Sequence, residues 1–144
     1  MLKSPCFFIA LETFWPSQNT YRLPVHLPPV LHRLVADHRA LGYGIIPIGS
    51  ASFFNVATDR ERITLQTDVE VAFAMRGRVP VRSVLILEHP HDPRELWDTA
   101  RCFDIDLRES LLMTANGQHV GMSRAAGLRQ VVSEADLSRT LAFA

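Results

Sequence analysis

Lysine is nearly missing from this chain: among 144 residues there is one, Lys3, and every other strongly basic side chain is an arginine. Chemistry that needs a lysine deep in the chain therefore has no residue to use. An excess of charge is missing as well, since fifteen basic residues face fifteen acidic ones. Without a basic field to gather phosphates, nucleic acid and anionic membrane surfaces are excluded as expected partners. Cysteine is scarce, and Cys6 and Cys102 lack the C-x-x-C spacing of a redox or zinc motif. Two separated thiols do not make a disulfide scaffold, and both read as small buried apolar residues in a reducing compartment. No apolar run approaches the ~20 residues that span a bilayer. The run Cys6 to Leu11 ends at Glu12 and is too short for a signal peptide. These absences place the expected chain in the cytoplasm. There is no Gly-x-Gly-x-x-Gly run, so a dinucleotide-binding or flavodoxin-like module has no motif behind it. Internal repeats, low-complexity tracts and linkers are missing too.

What is present is apolar mass. With 47% hydrophobic residues the chain is long enough to bury a core unaided, and one domain over 1–144 is expected. Hydrophobic period and punctuation alternate as βαβαβαβαβ. A first strand, Cys6 to Leu11, leads into an irregular connection from Glu12 to Pro29 whose prolines exclude a long helix. Pro28-Pro29 opens a helix over Val30–Leu41, with Val30, Leu31, Leu34, Val35 and Leu41 on one face and Gly42 beyond its end. Gly44–Ile48 reads as a buried strand, although Pro47 cannot donate to a ladder. Thr58-Asp59-Arg60-Glu61 is a capping box that starts a helix running to about Met75. Val81–Leu87 is rich in β-branched and aliphatic residues and reads as a strand buried on both faces. Asp92-Pro93 starts another helix, with Asp92 as cap and Leu96, Trp97, Ala100 and Phe103 as its buried stripe. A strand over Leu111–Thr114, a helix over Gln118–Ala126 and a strand over Leu128–Val132 complete the chain. Strands alternating with helices predict an α/β fold: a three-layer, Rossmann-like arrangement around a five-stranded, mainly parallel sheet, without a cap domain.

Certain stretches carry a resemblance. Gly42-Tyr43-Gly44-Ile45-Ile46-Pro47-Ile48 follows an amphipathic helix; the Thr58-x-x-Glu61 helix is followed by Val81–Leu87 and a His/Pro-rich turn. Ala100-Arg101-Cys102-Phe103-Asp104-Ile105-Asp106 runs on to Ser110, and Ser123-Arg124-Ala125-Ala126-Gly127 ends a helix. Together they resemble the capless branch of the haloacid dehalogenase-like superfamily, near the histidinol-phosphate and heptose-bisphosphate phosphatases. The resemblance implies chemistry in which one Asp attacks phosphorus, a second Asp two residues on protonates the leaving oxygen, and further carboxylates hold Mg²⁺.

On that alignment the scaffold stays and the reactive groups go. The nucleophile position is Ala10, which has no oxygen to attack with. Glu12 falls on the acid position, and Phe14 stands in the following tight turn. The phosphate-binding hydroxyl falls at Gly49, with Ser50 and Ser52 beside it. The lysine motif is replaced by Glu88-His89-Pro90-His91-Asp92, and the last metal-binding motif by Ala115-Asn116-Gly117-Gln118-His119. His89 and His91 with Asp92 have the residue types of a transition-metal site, but His-x-His before a proline-capped helix is more commonly a solvated loop. His32 and His38 lie on different faces of their helix and read as surface residues.

The expectation is a non-catalytic phosphatase-like protein that binds a partner protein, a second copy of itself or a phosphorylated small molecule. Its candidate ligand-binding residues are Glu12, Gly49, Ser50, Ser52, Asn116 and His119, and Phe53, Phe54, Phe14 and Trp15 either fill the mouth of the former active site, the favoured reading, or form a contact patch. No cofactor is expected. The alternative is a metal-dependent phosphatase of sugar phosphates with displaced catalytic residues, in which case Mg²⁺ returns. The ligand, the partner and the oligomeric state do not follow from the sequence.

Overall fold

In a computed structural model of the chain, residues 3–13, 29–76, 80–114 and 117–132 are described. The segment containing Phe14 and Trp15, and Asn116, lie outside them. In chain order the elements are β1 (Cys6–Ala10), α1 (Pro29–Ala40), β2 (Gly44–Ser50), α2 (Asp59–Val71), β3 (Leu85–Leu87), α3 (Arg94–Phe103), β4 (Leu111–Met113), α4 (Gly117–Ala126) and β5 (Gln130–Val132). The strands form one sheet in the order β3-β2-β1-β4-β5, and every pairing is parallel. This is the 3-2-1-4-5 strand order of a Rossmann-like sheet, not the 2-1-3-4-5 order of a flavodoxin-like module.

Alternate residues of β1 serve opposite faces of the sheet. Phe7 and Ile9 join Leu31, Leu34 and Val35 of α1 and Leu65 and Val69 of α2 in one apolar cluster. Cys6, Phe8 and Ala10 join Leu96 and Ala100 of α3 and Met122 and Ala126 of α4 in the other. The result is three layers with β1, wholly buried, at the centre.

Several elements depart from the sequence reading. β1 stops at Ala10, and Leu11–Thr13 form a 3-10 turn that bends the chain away from the sheet. β2 is longer than expected and is paired on both sides. Pro47 is tolerated because pairing with β3 begins only at Ile48, so the missing donor falls beyond that ladder. The strand expected over Val81–Leu87 shrinks to Leu85–Leu87 at the sheet edge, and it is covered on both faces as expected, with Ile86 in the first cluster and Leu87 in the second. Ahead of it the Arg82 amide still bonds Ile45 O of β2 at 2.9 Å, while the Arg82 guanidinium donates to Phe103 O at 2.7 Å.

Helix ends follow local chemistry. The Thr58 hydroxyl accepts from Glu61 N, and the Glu61 carboxylate accepts in return from Thr58 N, so the capping box is complete. α2 continues into a π-helical turn, Ala72–Arg76. At α3 the cap position is Pro93, and Asp92 acts one residue earlier by accepting from Arg94 N at 3.0 Å. On α3 Leu96 and Ala100 are buried, Phe103 is half-buried and Trp97 is 42% exposed. Cys102 faces solvent, opposite that stripe, and corrects its expected burial; Cys6 is buried, and burial pushes its thiol up against the opposing pull of Arg82. Leu41, outside the end of α1, is exposed. His38 is half-buried rather than a surface residue, with its ring 4.2 Å from that of Phe7 and 5.6 Å from that of Tyr43.

The stretch from Ile105 to Ser110 fastens the start of the sheet. Ser4 pairs with Ile105, Asp106 N donates to Ser4 O, and Ser110, wholly buried, accepts from Cys6 N at 2.9 Å. None of the described helices is long and apolar enough to cross a membrane.

Candidate functional site

In an open parallel sheet the crevice for ligands lies beyond the carboxyl ends of the strands, where helix N-termini also point. Here that edge is built by the end of β1, the turn after it, the end of β2, and the first turn of α4. Ala10, fully buried, is the last residue of β1 and pairs with Ile48. Its methyl group occupies the end of the central strand and supplies no polar atom.

Glu12 stands two residues on, in the 3-10 turn, with its side chain 7% exposed. Its Oε1 accepts from Ser50 N at 2.7 Å, a contact that joins residues 38 apart in sequence. The other oxygen, Oε2, has no hydrogen-bond partner among the described residues and lies 4.0 Å from His119 Nδ1. His119, the third residue of α4, is fully buried, and its Nε2 likewise lacks a partner among the described residues. Thr114 Oγ1 is 3.5 Å from His119 Nδ1. Burial holds the His119 imidazole below the usual histidine range, and the Glu12 carboxylate pulls the other way without reversing it. The ring is therefore neutral at neutral pH.

The remaining sequence candidates divide. Ser50 is buried at the end of β2, and its hydroxyl accepts from Phe53 N at 3.3 Å, closing the turn that follows. Ser52 is exposed in that turn. Gly49 is adjacent to Ser50 and is crowded. A methyl group there would meet Phe54 Cε2 at 2.9 Å and Leu11 Cδ1 at 3.2 Å. The fully buried Phe54 ring thus occupies the space a side chain at position 49 would need. Phe53 packs against Phe54 edge-on, with ring centroids 5.0 Å apart.

Sequence reasoning missed the Glu12 to Ser50 bond, Thr114, and the order of the β3–α3 turn. In that turn Glu95 reaches back from α3 to accept from Glu88 N and His89 N, at 3.1 and 3.0 Å. Glu88 is paired with Arg62 of α2. Asp92 is held by Arg94, which lowers its carboxyl to about 2. His89 and His91 stack edge to face at 6.3 Å, and among the described residues no group of three or more His, Cys, Asp or Glu is placed to hold a metal. The cue for Glu12 was its position after the first strand; nothing in the sequence pairs it with Ser50.

The donor set does not fit Mg²⁺. That ion requires near-octahedral coordination by hard oxygens, and the described crevice offers one carboxylate with Oε1 already engaged, beside a neutral imidazole.

No protein-family model matches the chain, and no curated protein sequence does. Solved structures do match. One, from Mesorhizobium loti and assigned as a HAD-like phosphatase, superposes with a TM-score of 0.70 at 15% identity, covering 99% of this chain and 86% of its own. The D,D-heptose 1,7-bisphosphate phosphatase of Burkholderia thailandensis gives 0.60 at 15% identity, covering 97% and 85%. A dehalogenase in an intermediate complex gives 0.54 at 14% identity, covering 85% and 57%. At such identities the likeness speaks to architecture, and the chain has the phosphatase-like fold of the haloacid dehalogenase-like superfamily.

Proposed function

We propose that this chain is a non-catalytic phosphatase-like protein that acts by binding, with a partner protein as its principal target and a phosphorylated small molecule as the other candidate. The observation that carries the reading is Ala10, buried at the end of the central strand where this fold's phosphatases need an attacking carboxylate. Without an oxygen there, no acyl phosphate forms. The Phe54 ring against Gly49 supports the same reading, because it fills the room for a phosphate-binding hydroxyl. Ser50 N–H is already bonded to Glu12, which disfavours a phosphorylated ligand and favours the protein.

The alternative, a phosphatase of small phosphomonoesters with displaced residues, draws on the convergence of Glu12 and His119 at the strand ends. One assay separates the two: Mg²⁺-dependent phosphate release from a panel of sugar phosphates and an aryl phosphate, with wild type and Glu12→Ala side by side. No turnover in either is expected. Turnover in wild type that vanishes in Glu12→Ala overturns the non-catalytic reading.

A further inference from the structure

Glu12 is a carboxylate in an unusual setting: nearly buried, at the edge of a sheet, and among the described residues with no arginine or lysine paired to it. Buried charges are normally matched by an opposite charge. What Glu12 has instead is a main-chain amide at the end of β2, Ser50 N–H, at 2.7 Å. That is the length of a charge-assisted bond. The first turn of α4, which begins at Gly117 and carries His119, opens onto the same crevice and brings the positive end of a helix dipole.

Main-chain amides at strand ends and helix N-termini are the donors with which a protein without a metal holds a small oxyanion. Here the oxyanion in that position belongs to the chain itself. The fit is incomplete. A carboxylate has two oxygens in one plane, and only Oε1 is satisfied, while Oε2 and the fully buried His119 Nε2 keep unused capacity. The described groups facing the pair are Ser50 from β2, on Glu12, and Thr114 from the end of β4, on His119.

We propose that Glu12 is an internal oxyanion that closes the crevice, occupying the Ser50 amide and excluding phosphate and other small oxyanions from the resting protein. The proposal rests on the non-catalytic reading and refines it. A phosphorylated ligand enters only by displacing Glu12, so the resting protein engages partners without one.

The experiment measures binding of inorganic phosphate by isothermal titration calorimetry to wild type, Glu12→Ala and Glu12→Ser, each checked for folding by circular dichroism. Glu12→Ser removes the carboxylate and shortens the side chain while leaving a polar group in the crevice, so it remains informative if Glu12→Ala does not fold. The folded variants are expected to bind one phosphate at least tenfold more tightly than wild type, with added acetate competing as a substitute carboxylate. Wild type binding phosphate as tightly as the variants overturns the proposal, because the site is then open. Absence of binding in every folded variant overturns it too, because Glu12 then hides no site. Phosphate release is a separate readout: turnover refutes the non-catalytic reading whatever the calorimetry gives, and binding without turnover leaves that reading standing.

Discussion

Gly49→Ala tests whether the crevice is filled from within. The added methyl lands 2.9 Å from Phe54 Cε2 and 3.2 Å from Leu11 Cδ1, and both neighbours are fully buried. Ordinary carbon contacts lie near ~3.5–4.0 Å, so the ring must move by several tenths of an ångström inside a packed core. Overpacking of that kind costs about 1–3 kcal/mol. Replacing a strand glycine recovers about 0.5–1 kcal/mol of backbone entropy. The net loss is therefore about 1–2 kcal/mol, and at roughly 3 °C per kcal/mol for a chain of this size Tm falls by about 3–6 °C. The assay is urea and thermal unfolding of four proteins: wild type, Gly49→Ala, Phe54→Leu and the double variant. Leucine removes the ring atom that collides, so Gly49→Ala is expected to cost almost nothing in the Phe54→Leu background, a coupling of about 1–2 kcal/mol. If the two single costs simply add to within about 0.5 kcal/mol, the ring does not fill the space beside Gly49 and the account of a blocked position fails.

Further expectations bear on the buried pair and on the scaffold. Because burial lowers the His119 pKa in the folded state, the unfolded chain binds that proton first as pH falls. Stability is therefore level above the unfolded value of about 6.5 and declines below it at up to about 1.4 kcal/mol per pH unit, flattening once the folded pKa is passed. Urea unfolding at intervals from pH 7.5 to 5 checks this, and His119→Leu should remove that part of the slope. Ser110→Ala leaves the buried Cys6 N–H without its acceptor and should cost about 1–3 kcal/mol in the same assay. Thr58→Ala breaks the capping box and should cost about 1 kcal/mol, with Glu61→Ala in the Thr58→Ala background costing less than it does alone.

The parallel α/β architecture was legible because strands and helices alternate with their own periods and because Gly42 and Thr58 mark helix ends locally. Features set by distant residues were not. The bond from the Arg82 guanidinium to Phe103 O joins residues 21 apart, and neither residue announces the other. The exposure of Cys102 follows from which face of α3 meets the sheet, which Leu96 and Ala100 decide. Of the candidate site, the sequence placed Ala10, Glu12, Gly49 and His119 near strand ends. The bond from Ser50 to Glu12 and the Phe54 ring against Gly49 depend on how two separate turns fold over the sheet, and no spacing rule encodes that.

The short edge strand bears on how copies of this protein meet. A sheet edge is a row of unpaired amides and carbonyls that another strand can join, and long exposed edges invite association. Here the outermost strand has three residues, and just before it the Val84 carbonyl accepts from Gln66 Nε2 of α2 at 3.0 Å. A helix side chain thus holds the first acceptor that an incoming strand would seek. Growth of the sheet past β3 has to break that bond and begin on three residues, so the edge that looks most available is a poor template for recruiting another chain.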